Sequence, residues 1–254
     1  MQFYRQAYLA ITDFDLYARV FEQSPRRTLI YLLSLAAHVA FILTLYYAWV
    51  VLPATAQFLD WATETLPPMR VEDGALIVEA DQPLVLQYSG ETLWTLILDT
   101  TGTYRDTRGL QEPVALLTRE RLFVRLAGSD NPPPLAWTDV PNFSLPADLE
   151  NFGTTLNWIF FPVVYSLSLL WSLFFKALQA LLLTPLAISV GSLYGVRLPL
   201  RSSYTIALYA LTPAVVIDLA VLWTGQAGNY FIVLYFAIAL IYTYMAAQRC
   251  SMAR

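Results

Sequence analysis

Residues 29–52 hold 24 consecutive positions without a charged side chain. At 1.5 Å of rise per residue, a helix of that length crosses a hydrocarbon core of about 30 Å. Further uncharged runs occupy residues 151–175 and 177–196, broken only by Lys176, and apolar runs follow at 204–223 and 230–247. Charged residues make up 13% of the chain and hydrophobic ones 57%, whereas soluble domains carry about 25% charged residues. These features predict an integral membrane protein.

Ala54-Thr55-Ala56 has the small residues of a signal-peptide cleavage site. The apolar run before it exceeds the roughly 7–15 residues of a signal-peptide core, and its leader is long, so an uncleaved anchor is expected.

Charge sets the expected orientation. Residues 52–156 contain fifteen Asp and Glu against six Arg, while the rest of the chain holds nine Lys and Arg against four acidic residues. Positive residues stay on the cytoplasmic side of spans. If residues 151–196 formed two spans, a hairpin without turn residues would be needed at Lys176, and Arg197, Arg201, Arg249 and Arg254 would lie outside. A single crossing puts them inside with Arg5, Arg19, Arg26 and Arg27. The surplus length near Thr184-Pro185 then reads as a kinked or interfacial extension.

The predicted fold class is an α+β membrane protein: a four-helix transmembrane bundle with a small extracytoplasmic β-rich domain inserted between helices 1 and 2. Its expected parts are an amphipathic helix over 1–28, spans at 29–52, 157–196, 204–224 and 230–247, and the outer domain at 53–156. In the first segment Phe3, Ala7, Ile11, Phe14, Tyr17 and Phe21 recur at three- and four-residue spacing. That stripe suits either the inner membrane interface or a face packed on the bundle. The expected location is the bacterial cytoplasmic membrane, with both termini inside.

Within 67–150 the pattern changes to short extended segments and turns. Asp73-Gly74 stands between two of them, a strong hairpin signal. Ser89-Gly90-Glu91 and residues 118–121 mark two more hairpins, and Asn131-Pro132-Pro133-Pro134 interrupts regular structure. Five to six strands are expected.

Asp99-Thr100-Thr101-Gly102-Thr103 shares letters with the phosphorylated Asp-Lys-Thr-Gly-Thr of P-type pumps and the Asp-Thr-Gly of aspartic proteases. Thr100 stands where the pump needs lysine, and Gly102 lies one position too late for the protease, which also needs a second such loop. Asp99 and Gly102 are therefore read as a turn in which the carboxylate caps backbone amides.

Residues 8–21 leading to Leu29-Ile30-Tyr31-Leu32-Leu33, then Val71-Glu72-Asp73-Gly74-Ala75-Leu76, then Ile97-Leu98-Asp99-Thr100-Thr101-Gly102, form a pattern that resembles a bacterial membrane family. It is the domain-of-unknown-function family 1189 (DUF1189), some of whose members are labelled maltodextrin-utilisation membrane proteins. The resemblance implies an N-terminal span, an extracytoplasmic domain and a C-terminal bundle, and supplies no catalytic residue. Ala210-Leu211-Thr212-Pro213 is faintly similar to a step in Yip-type bundle proteins.

His38, Lys176 and Asp218 are the ionisable residues within or beside the apolar runs, where desolvation is costly and a function is the first hypothesis. Asp218 lies five residues before Trp223, about 8 Å inside the outer boundary. His38 falls near mid-membrane, and Lys176 is placed to snorkel toward the inner surface. His38 and Asp218 could form a proton or ion relay, or serve as interhelical hydrogen bonds. A transporter usually carries more intramembrane polarity and repeated broken helices, so structure is the preferred reading.

One histidine and one distant cysteine, Cys250, cannot build a zinc site or a nucleophilic triad. An acidic outer segment disfavours nucleic acid. No cofactor and no catalytic residue are expected. The expected partners are the bilayer and another membrane or extracytoplasmic protein. The expected role is that of a non-enzymatic scaffold, accessory subunit or sensor; the alternative is a transporter or transporter subunit using Asp218 and His38.

Overall fold

The computed structural model describes residues 2–89, 93–107, 109–110, 113–126, 132–145, 147–224 and 229–252. Asn131, Gly90-Glu91 and the 225–228 portion of the turn expected before Asn229 lie outside the described residues. Three helices open the chain: α1 (Gln2–Thr12), α2 (Asp15–Val20) and α3 (Pro25–Thr65). Eight strands follow in sequence, and then α4 (Ala147–Leu193), α5 (Leu200–Leu222) and α6 (Asn229–Met252).

Among the described residues four helical segments are long and apolar enough to cross a membrane: Pro25–Thr65, Asn151–Leu193, Leu200–Leu222 and Ile232–Met252. α3 has 41 residues and α4 has 47. At 1.5 Å per residue they extend about 60 and 70 Å, roughly twice the thickness of a hydrocarbon core. Part of each must therefore lie beyond the lipid. α4 has no break at Lys176 and continues through Pro185.

The chain divides into two compact units, the first comprising residues 1–47 and 161–254, the second residues 48–160. The division falls inside α3 and α4.

In the first unit, α5 is the central element: every side chain from Thr205 to Val215 is buried. Small residues allow close approach, with Ala207, Ala210 and Ala214 of α5 and Ala239, Ala246 and Ala247 of α6 fully enclosed. The amphipathic segment is two helices rather than one. Asp13 Oδ1 accepts the Asp15 amide at 2.9 Å, which turns the chain between α1 and α2. Both helices pack on α5, and α2 also on α6. Tyr17 is fully buried and donates to the Ala10 carbonyl at 2.8 Å. Desolvation raises its phenol pKa well above the ordinary range. Asp15 closes the far side through an ion pair to Arg249 at 2.7 Å.

The second unit holds β1 (Met69–Glu72), β2 (Ala75–Val78), β3 (Leu84–Ser89), β4 (Leu93–Asp99), β5 (Val114–Thr118), β6 (Arg121–Arg125), β7 (Leu135–Ala136) and β8 (Phe143–Leu145). They form two sheets, ordered β2-β1-β8 and β3-β4-β5-β6-β7. Among the described residues there are eight strands rather than five to six, because β7 and β8 are too short to register as periodic patterns. Residues 53–65, expected in the β-rich segment, continue α3 instead. Pro53 removes one amide from the helix but does not end it, and Phe58 and Trp61 of this extension pack on Tyr88 of β3 at 5.5 and 5.2 Å between ring centroids.

The β1–β2 hairpin has a two-residue loop, with Glu72 opposite Ala75 and positive φ at both Asp73 (50°) and Gly74 (76°). Those angles define the turn favoured between twisted strands. β4 pairs in both senses, antiparallel to β3 and parallel to β5. Its alternation sends Leu98 into one cluster with Met69, Val71, Leu76 and Trp137, and Ile97 into another with Val114 and Leu116.

Candidate functional site

The three ionisable residues expected in the apolar runs fall into two groups. His38 in α3 meets α1. Its Nδ1–H donates to the Ser34 carbonyl at 2.6 Å, and Nε2 shares a hydrogen bond of 2.7 Å with the Tyr4 hydroxyl. A carbonyl can only accept, so the Nδ1 proton lies in the bond to Ser34. Phe3 stacks on the imidazole with centroids 4.6 Å apart.

Lys176 in α4 is buried and donates from Nζ to the Tyr235 hydroxyl of α6 at 3.0 Å. That hydroxyl donates onward to Gln179 Oε1 at 2.7 Å. Asp218 of α5 is exposed and lies within electrostatic reach of both Lys176 and Tyr235. No described interaction joins His38 to Asp218. Asp218 keeps company with the lysine, and histidine with the N-terminal arm. Tyr235 and Gln179 were invisible as site residues because nothing local marks them. The Thr212 hydroxyl of the Ala210–Pro213 step shares a bond of 2.6 Å with Tyr31, whose ring stacks on Tyr209.

The second unit carries the Asp99 turn. Asp99 is fully buried. Its Oδ1 accepts the amides of Thr101 and Gly102 and the Thr101 hydroxyl, and its Oδ2 accepts the Tyr104 amide. Burial raises the carboxyl pKa, but these donors outweigh it and hold the pKa below the ordinary carboxylate value. Gly102 supplies the positive φ, 85°, that lets the chain wrap around the carboxylate. Gln82 Oε1 accepts both the amide and the hydroxyl of Thr100, fixing the turn from the other side.

The register of the parallel pair sets Asp99 beside Thr118. The segments that follow β4 and β5 therefore leave the sheet at the same end. Between them lies an open concavity of about 500 Å3, lined by the Asp99 turn, Arg105 and the Arg119-Glu120-Arg121 tip of the next hairpin.

These features define a multi-helix membrane protein with a small two-sheet unit. The chain belongs to DUF1189, described as a protein family of unknown function, whose family model matches residues 4–247. No curated protein and no solved structure matches it.

Proposed function

We propose that this chain is a non-enzymatic integral membrane protein of the bacterial cytoplasmic membrane. It acts as a scaffold, accessory subunit or sensor through unit 2, which is inserted between the first two of four spans and faces outward. The observation that carries this reading is the way the polar groups are used. Within the first unit, His38 and Lys176 are engaged in hydrogen bonds to neighbouring helices. Asp99, the residue in the one stretch with catalytic lettering, closes its own turn. The acidic surplus of 52–156 against the arginines elsewhere supports the orientation.

Single cysteines in a Cys250→Ser background test the orientation. Asp81→Cys is expected to react with a membrane-impermeant thiol reagent in intact cells, and Ser24→Cys and Ser202→Cys only after permeabilisation. External labelling of Ser202→Cys would restore a fifth span. Absence of labelling at Asp81→Cys would overturn the outward placement of unit 2.

A second reading, a transporter or transporter subunit using Asp218, is favoured by the nearness of Asp218 to Lys176 and Tyr235. Asp218→Asn keeps the hydrogen-bonding shape but cannot exchange a proton. Loss of cellular function with normal insertion would support that reading over the scaffold.

A further inference from the structure

We propose that the concavity between the Asp99 turn and the hairpin tip of unit 2 binds a small phosphate-bearing anion through Arg105, Arg119 and Arg121. This deepens the reading of unit 2 as the ligand-facing part of the protein and rests on it.

Charge distribution is the first argument. Unit 2 is drawn from the acidic stretch of the chain, yet three of its arginines line one concavity. Arg70, by contrast, is placed between Glu72 and Glu79, and Arg125 donates to the Thr107 carbonyl. Arg105, Arg119 and Arg121 are exposed and pair with no carboxylate among the described residues. Two carboxylates share the lining, Asp99 and Glu120. Asp99 has both oxygens occupied by backbone amides, so its charge is already met locally. The guanidiniums remain in excess.

Rigidity is the second, independent argument. The hairpin tip is fastened at every residue. The Leu76 amide donates to the Arg119 carbonyl at 2.8 Å and the Trp137 amide to the Glu120 carbonyl at 3.0 Å. The Thr118 hydroxyl donates to the Arg121 carbonyl at 2.9 Å and accepts the Arg121 amide at 3.1 Å. The Trp137 indole N–H holds the Thr118 carbonyl at 2.8 Å. The facing turn is fastened by Asp99 and Gln82. Backbones held this firmly leave only the arginine side chains to be ordered at binding, which favours affinity. The chemistry selects phosphate over carboxylate. One guanidinium fork satisfies a carboxylate, whereas three arginines from two loops match a tetrahedral dianion with more oxygens to serve.

The test uses the full chain in phosphatidylcholine nanodiscs, with inorganic phosphate titrated by calorimetry and folding followed by circular dichroism melts. Saturable binding is expected, weakened about tenfold or more in R119Q/R121Q and in R105Q, which lies on the opposite loop. R70Q leaves binding unchanged, and E120Q tightens it. Repeating the titration in phosphatidylglycerol nanodiscs separates the sources of the phosphate. Competition there identifies a lipid headgroup, and unchanged binding identifies a free solute. Absence of saturable binding by the folded protein, or binding indifferent to the three arginines, would overturn the site. That failure, accompanied by external labelling of Asp81→Cys, would leave the placement of unit 2 standing.

Discussion

Lys176 and Tyr235 are 59 positions apart in the chain, yet the lysine ammonium donates to the tyrosine hydroxyl at 3.0 Å and lies 4.8 Å from the ring centroid. The bond joins α4 to α6 inside helices apolar enough to span a membrane. Tyr235→Phe removes both the acceptor for Lys176 and the donor to Gln179. It is expected to cost about 1–2 kcal/mol, within the range of interhelical hydrogen bonds and stranded polar groups. Lys176→Met removes the charge instead of stranding it and should cost less. Reversible unfolding in mixed micelles compares the two, and the opposite order would show that Tyr235 does not satisfy the lysine.

His38 and Tyr4 form an analogous pair between α3 and α1. Tyr4→Phe and His38→Gln should each destabilise docking of the N-terminal arm, and the double variant should lose less than their sum. A coupling of about 0.5–1 kcal/mol in a double-mutant cycle is expected. Strict additivity would mean that the contact carries no energy.

Gly74 and Gly102 both have positive φ, but their surroundings differ. A Cβ at Gly74 would meet Thr138 Cγ2 at 2.6 Å, whereas one at Gly102 has nothing within 4 Å. Gly102→Ala should cost only the left-handed strain, about 1–2 kcal/mol. Gly74→Ala adds a steric overlap of about 1–3 kcal/mol. Thermal melts of the two variants should preserve that order.

Asp99 makes a pH-dependent contribution. Its folded pKa lies below the ordinary value of 3.8. The stabilisation is therefore fully present above about pH 4 and is lost as pH falls through the folded value. Asp99→Asn is expected to cost about 1–2 kcal/mol at neutral pH, by analogy with helix caps, and the gap to the unsubstituted protein should narrow in acid. Hydrogen exchange at the amides of Thr101, Gly102 and Tyr104 in the full chain reads this directly. A gap that persists unchanged below the folded pKa would show that the carboxylate charge is not what closes the turn.

Much of the local structure was legible because its causes are local. Asp73-Gly74 needs positive φ at both positions, and few other dipeptides tolerate that. Asp99 and Gly102 lie close enough for the carboxylate to find its own amides. The parallel β4–β5 pair was not legible. Its connection from Asp99 to Val114 reads as loop, and nothing in residue periodicity distinguishes a returning strand from a crossing one. The concavity depends on that parallel pairing, so it was hidden with it. The continuation of α3 beyond residue 52 was not legible, because 24 uncharged residues already suffice to cross the core and nothing in apolar length marks where a helix ends outside it. Lys176 was marked by its charge, but its partner Tyr235 comes from a separate helix, where no spacing rule applies.

The Asp15–Arg249 ion pair joins residues 234 positions apart in sequence. During translation α1 and α2 leave the ribosome well before α6, which carries Arg249. Until α5 and α6 have been inserted, Leu16, Tyr17 and Val20 have no surface to bury against. The amino-terminal arm must therefore remain undocked through nearly all of synthesis. A chain truncated before α5 displays that apolar face permanently, which gives chaperones and quality-control proteases a physical sign that insertion is unfinished.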